Sequence, residues 1–410
     1  MTQAHQDSGK APAATMPADP AHYTPLPVLG FDSATLDSAG ATWTAREILQ
    51  QPQLWCELDA QVRSCAVQAF LAPLLQKPGL RIALTGAGSS AFVGDCLAPA
   101  LLTHLQRPVD ALATTDLVSD PQGWLLPTVP LLLVSFARSG NSPESVAALD
   151  LAQQCVRDCH HLVITCNAEG ALAQRARSLP NACLVVLPPQ SNDRSFAMTS
   201  SFSCMLLAAA LAFGLVEGGG QGVAHISRAA QGVLDHALPL LQELLAQKFE
   251  RVVYLGAGTG RGLAREAALK LLELSDGQMI AIADTPLGFR HGPKTIVNGK
   301  ALVVVFLGND AYSRRYDLDL LQELRRDGVA GRVLALSGQG GPALLPGDLL
   351  LGPGQDLDAL GLCLCALVFV QEFALLSSLQ LGKRPDNPNA AGTVNRVVKG
   401  VTIYPLESVA

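Results

Sequence analysis

Charge is scarce in this sequence. Only 16% of its 410 residues are Asp, Glu, Lys or Arg, against 49% hydrophobic ones. A chain so poor in charge and so rich in apolar side chains does not remain disordered. It buries surface instead, in thick α/β cores or between subunits. Its 29 basic residues are outnumbered by 35 acidic ones, for a net charge of −6, and no long basic run is present. That argues against nucleic acid or an anionic membrane as a partner. A small anion stays open, because a local site can be positive on an acidic protein. The ten cysteines include no Cys-x-x-Cys pair, and Cys363 and Cys365 alternate with leucines. They read as packing thiols, not as metal ligands or disulfides. The first residues lack the basic and apolar stretches of a signal peptide. The apolar run near the C-terminus is interrupted by Gln371 and Glu372, which leaves it short of the ~20 apolar residues of a membrane span. The expectation is a reduced, soluble, cytoplasmic protein of two domains.

Residues 1–42 are rich in Ala, Pro, Thr, Ser and Asp and are expected to be a flexible lead segment. A helical segment over 43–75 follows from the spacing of Ile48, Leu54, Leu58, Val62 and Phe70. The chain then repeats itself. Arg81-Ile-Ala-Leu-Thr-Gly-Ala-Gly returns as Arg251-Val-Val-Tyr-Leu-Gly-Ala-Gly after 170 residues. Leu131-Leu-Leu-Val-Ser-Phe aligns with Leu302-Val-Val-Val-Phe-Leu, and Leu162-Val-Ile-Thr with Val333-Leu-Ala-Leu, both at 171. A near-constant offset marks a duplicated domain. Continuous apolar strands alternating with helices predict parallel sheets covered on both faces. Two doubly wound α/β domains are therefore expected over 76–217 and 232–381, each ending in an apolar helix (Met205–Leu215 and Leu362–Leu379). The Gly218–Gly222 stretch connects them and a C-terminal tail runs over 382–410. Ligands of such sheets bind beyond the strands' carboxyl ends.

The loop Ser135-Phe-Ala-Arg-Ser-Gly-Asn-Ser-Pro-Glu-Ser145 lies at such an end. Ser142 is an N-cap candidate and Pro143 suits the first helical position. Free N–H groups there favour an anion, with Arg138, Ser139 and Gly140 able to add charge, a hydroxyl and close approach. An ordinary capped turn competes with this phosphate cradle. Gly86-Ala-Gly88-Ser89-Ser90-Ala91 fits both a dinucleotide fingerprint and a monophosphate site shared with Ser139. The second half has Leu307-Gly-Asn-Asp-Ala-Tyr-Ser313 in place of the serine cradle. Its own chemistry lies elsewhere. Glu266, Lys270 and Glu273 share one helix face, as a solvated stripe or as acid–base groups. His291, between Arg290 and Lys294, is a general acid–base candidate or a hydrogen-bonded loop residue.

Together these segments resemble the SIS (sugar isomerase) family of phosphosugar-binding domains over about 80–400. The likeness is carried by Leu84-Thr-Gly-Ala-Gly-Ser-Ser-Ala-Phe, the Ser135–Ser145 loop, Asp193-Arg-Ser-Phe-Ala-Met-Thr-Ser-Ser, Gly288-Phe-Arg-His-Gly-Pro-Lys and Gly392-Thr-Val-Asn-Arg-Val-Val. Within the family it is similar to the tagatose-6-phosphate ketose/aldose isomerase group, which includes galactosamine-6-phosphate deaminase/isomerases. The resemblance implies a phosphorylated amino-sugar substrate, no cofactor, no metal and a homo-oligomer with a shared site. It implies phosphate contacts from Ser90, Ser139, Ser142 and the Arg138 backbone, within a loop that includes Gly140 and Asn141. Glu273 then moves a proton between C1 and C2, His291 assists ring opening, and Lys399 lies in the pocket. Ser89, Lys270 and Arg290 support the site. Ala137 departs from the pattern, standing where the more distantly similar glucosamine-6-phosphate synthase has a phosphate-binding serine. The rival readings are a plain ketose/aldose isomerase, a catalytically silent sugar-phosphate sensor and a nicotinamide dehydrogenase.

Overall fold

The computed structural model describes residues 29–216, 221–398 and 400–407. Four helices lead in: α1 (Ser33–Ala39), α2 (Thr42–Leu49), α3 (Gln51–Val62) and α4 (Cys65–Leu75). Two findings correct the expectations here. Residues 29–42 of the anticipated flexible segment are ordered, with α1 capped by the Asp32 side chain and closed by Gly40 in the left-handed conformation (φ 61°). Residues 1–28 lie outside the described residues. The single helical segment anticipated over 43–75 is three helices, with Pro52 in the first turn of α3.

The first half follows as β1 (Arg81–Thr85), α5 (Ser89–Leu105), β2 (Val109–Ala111), α6 (Thr114–Ser119), α7 (Pro121–Trp124), β3 (Leu131–Ala137) and α8 (Pro143–Cys155). It ends with β4 (Cys159–Thr165), α9 (Ala171–Arg177), β5 (Ala182–Val186) and α10 (Ser200–Ala212). Helices α11 (Gln221–His236) and α12 (Leu238–Ala246) lead to the second half. That half holds β6 (Arg251–Leu255), α13 (Thr259–Leu274), β7 (Ile280–Asp284), α14 (Pro286–Phe289), β8 (Ala301–Leu307) and α15 (Ser313–Asp327). It closes with β9 (Arg332–Ser337), β10 (Leu349–Leu350) and α16 (Ala359–Gln380). Of the anticipated Gly218–Gly222 connector, 218–220 lie outside the described residues and the last two residues open α11.

Both sheets are five-stranded and parallel, in the orders β2-β1-β3-β4-β5 and β10-β9-β8-β6-β7. Read from the matching edge the orders are the same, a doubly wound topology with its switch point between the first and third strands. Gly88 and Gly258 cap the equivalent helices α5 and α13 with nearly the same left-handed φ, 57° and 55°. The register refines the repeat. Leu131 pairs with Arg81 and Ala301 with Arg251, so the β3–β8 offset is 170, as in β1–β6. Leu162 opposes Val134 and Leu334 opposes Val304, an offset of 172 for β4–β9. The 171-residue alignment failed because strands buried on both faces lack the polar alternation that pins register.

All seven residues of β3 and of β8 are buried. So are all thirteen of α10, as expected of a helix apolar on every side. The C-terminal apolar helix is longer than anticipated. At 22 residues α16 is long and apolar enough to cross a membrane by length and composition, yet 94% of its most apolar window is buried within the protein. Helix α13 packs on both α5 and α16, which joins the halves. Nine described cysteines are free, and only Cys56 among them is exposed.

Candidate active site

The carboxyl ends of β1 and β3 present two serine-bearing turns to one crevice. Ser89 and Ser90 open α5, both buried. In the loop after β3, Gly140 has φ +64°, a conformation that L side chains rarely adopt, with Thr165 and Leu172 against it. This bend leaves the N–H groups of Ser139, Gly140 and Ser142 without an acceptor among the described residues. Ser139 Oγ accepts from the Asn141 N–H (3.3 Å), so its own proton is free to donate. Ser142 and Pro143 stand at the N-cap and first turn of α8 as the sequence predicts, but the Ser142 hydroxyl bonds Ser145 Oγ (2.6 Å) and caps nothing. Unpaired N–H groups and a thirteen-residue helix dipole favour an anion here.

Two residues of the loop have other duties. Asn141 accepts the Ala171 N–H through its side-chain oxygen (3.0 Å) and so ties the loop to α9. The buried guanidinium of Arg138 donates to the carbonyls of Phe196 (3.1 Å) and Arg396 (2.7 Å). Burial, and then the nearby Arg396 charge, lower its pKa. Its side chain therefore anchors neighbouring backbone, which leaves its main chain to the cradle. In the second half carboxylates line the matching turn. Asp310 accepts from Tyr312 (3.1 Å) and Ser313 (2.8 Å), and Asp317 accepts from Gly308 (3.0 Å). Tyr312 matches Ser142 at the 170-residue offset, so the helix start left open in the first half is capped here. The two carboxylates disfavour an anion, although the Asn309 and Asp310 N–H groups have no acceptor among the described residues.

The charged face of α13 is no solvated stripe. Glu266 and Lys270 are fully buried, and the Glu273 side chain is 25% exposed. Lys270 Nζ lies 3.5 Å from Glu266 and donates to Glu273. Burial opposes the charge on Lys270, but the two carboxylates outweigh it and raise its pKa. Burial likewise pushes Glu266 up to about 7, against the pull of Lys270 and Ser89. Glu273 lies within electrostatic reach of Arg138, whose charged form it favours. Helix α13 packs on α5, the helix that Ser89 and Ser90 open, so the acid–base face of one half adjoins the cradle's half.

The remaining candidates divide. Arg290 donates to Glu323 and Asp319, both at 2.8 Å, and Lys294 to Asp327 (2.6 Å) and Glu323. These ion pairs fasten the loop to α15. His291 between them is exposed, and no hydrogen bond among the described residues joins it to Glu273. Lys399 lies outside the described residues. The sequence reading missed a buried network around Asp193, which accepts from Thr199 (2.7 Å) and Ser201 (2.9 Å) main-chain N–H groups and from their hydroxyls and that of Ser200. Its partners lie six to eight residues on, within the Asp193–Ser201 segment that carries the family likeness, but they meet in an irregular turn that neither helix nor strand spacing reads. Among the described residues no group of three or more His, Cys, Asp or Glu is placed to hold a metal ion.

The SIS domain family model matches residues 74–214. The D-galactosamine-6-phosphate deaminase AgaS of Escherichia coli is 45% identical over 95% of this chain and 100% of its own length. The protein of the same name from Shewanella sp. strain ANA-3 is 43% identical over 95% of this chain and 99% of its own. The crystal structure of tagatose-6-phosphate ketose/aldose isomerase from Escherichia coli superposes with a TM-score of 0.85 and 42% identity, covering 94% of this chain and 100% of that one.

Proposed function

The chain belongs to the SIS-domain family, among its D-galactosamine-6-phosphate deaminase relatives, and from that premise we propose that it converts D-galactosamine 6-phosphate and water to D-tagatose 6-phosphate and ammonia. The observation that carries the reading is the packing of α5, whose first turn borders the open anion cradle, on α13, which bears one partly exposed carboxylate, Glu273, backed by a buried lysine. The cradle of Ser90, Ser139, Gly140 and Ser142 holds the phosphate, and this remote binding positions the reacting carbons. His291 moves a proton between the ring oxygen and O1 to open the ring. Glu273 takes the C2 proton, which leaves an enol-amine, and returns a proton to C1. The product is a C2 imine, and water adds across its C=N bond to release ammonia and form the ketone. Lys270 hydrogen-bonds Glu273 and steadies its charged form between transfers. No metal or other cofactor is needed for these steps.

His291 is exposed on a loop that Arg290 and Lys294 fasten to α15; in this reading it serves the site of a second copy, and the enzyme works as a homodimer in the cytoplasm. The test is ammonia release from galactosamine 6-phosphate and glucosamine 6-phosphate, side by side. Ammonia from the galacto epimer supports the deaminase. A second reading, favoured by the isomerase structure above, is aldose–ketose isomerisation of tagatose 6-phosphate alone. Enolisation is common to both, so ammonia release decides between them. Phosphosugar binding with neither activity would make the protein a sensor.

A further inference from the structure

One buried acid has no part in this reaction. Glu47 on α2 is 4% exposed and accepts the N–H groups of Arg194 and Ser195 while meeting the Ser195 hydroxyl. Ser195 Oγ also lies 3.2 Å from the Ala197 carbonyl. A hydroxyl carries one proton and cannot donate to both oxygens. With Glu47 as the carboxylic acid, its proton goes to Ser195 Oγ and the hydroxyl proton to Ala197, so both bonds form. Neighbouring Asp193 accepts from five donors. Burial first, and then the Asp193 charge, push Glu47 up to about 8.

The loop that Glu47 grips borders the phosphate cradle. Arg138 holds the Phe196 carbonyl, and Met198 Sδ lies 3.9 Å from Ser90 Oγ. Its Asp193 and Ser195 carbonyls accept from Arg396, whose own carbonyl accepts from Arg138. We infer that Glu47 is a positioning residue that sets the 193–199 loop against the cradle and, through Arg396, seats the C-terminal tail beside it. The two ends of the chain then form one latch. The kinetic part of this inference rests on the cradle being the substrate-phosphate site.

The experiment compares Glu47→Ala, Glu47→Gln, Arg396→Ala and the double alanine variant by KM, kcat and hydrogen exchange. In Glu47→Ala the KM for galactosamine 6-phosphate rises about tenfold with a smaller change in kcat, and the amides of 193–199 and 386–398 exchange faster. Glu47→Gln restores most of both, because the amide keeps the donor and acceptor of the neutral acid. The double variant is no worse than the weaker single, since both break one chain of contacts. Normal KM and exchange in folded Glu47→Ala overturn the inference, as does a double variant whose loss is the product of the singles. A Glu47→Gln as impaired as Glu47→Ala overturns the neutral acid. Should Glu47→Ala not fold, Arg396→Ala on the half-buried tail decides alone, and unchanged KM and exchange overturn the latch. If the wild-type protein releases no ammonia, the reaction assigned above fails, while exchange measured without substrate still tests the latch.

Discussion

Three residues of α13 show how one helix turn makes an acid–base pair out of a carboxylate and a buried amine. Lys270 has no water to share its charge, so it depends on Glu266 and Glu273. Of the three, Glu273 alone has exposed side-chain surface with which to meet a substrate carbon. Glu273→Gln therefore lowers kcat by about 10²–10⁴, the range of general acid–base catalysis, and leaves substrate binding largely intact. Ammonia release and equilibrium binding, measured on one preparation, separate the two effects. Retained turnover removes Glu273 from the mechanism. Glu266 has a different signature. In the folded protein it keeps its proton up to about 7, against 4.5 ordinarily. The folded state binds more protons than the unfolded one in that window, so this contribution is complete below 4.5 and is lost as pH rises through 7. Glu266→Gln flattens the dependence of Tm on pH there, and an unchanged slope means another group carries it. The sequence placed the three on one face, but solvated and catalytic stripes share that spacing. Burial decides between them, and it depends on α5 and α16, which no local pattern reports.

At the scale of elements, legibility followed the strength of the apolar signal. The runs that became β1, β3, β6 and β8 were readable, as were the apolar cores of α10 and α16, because a continuous hydrophobic stretch between glycines has few other fates. Short α1 was passed over since it buries only Leu36, although Asp32 and Gly40 bracket it with cap residues. Most hidden was the cap of α2. Its own N-cap, Ala41, offers no side-chain acceptor. Asp386 of the tail supplies one, accepting from the Trp43 N–H (3.1 Å), the Thr44 N–H (2.7 Å) and the Thr44 hydroxyl (2.8 Å). A cap from the far end of the chain has no sequence signature. Asp386→Ala removes it and costs about 0.5–2 kcal/mol in urea unfolding, the worth of an N-cap. A loss near zero means water replaces the carboxylate fully.

For the whole molecule, the duplication matters because its two copies have diverged in opposite directions. The first half keeps an open cradle, while the second lines the matching turn with the carboxylates of Asp310 and Asp317 and carries charged groups on α13. Helices α5 and α13 bring the two specialities together at close range. A Cβ on Gly262 would stand 2.4 Å from the Cys96 main-chain nitrogen, so the halves meet backbone to backbone. In the proposed mechanism this join leaves out the ring-opening histidine, His291, whose loop Arg290 and Lys294 fasten to α15. A site missing one group in every chain is completed by symmetry, when each copy of a dimer lends that group to the other. Mixing inactive Glu273→Gln with inactive His291→Ala protein then restores activity. Half of the randomly reassembled dimers are hybrids, and each hybrid has one site with an intact Glu273 and His291, so recovery reaches about a quarter of wild type. Subunits that use their own His291 recover nothing, because neither variant chain holds both groups.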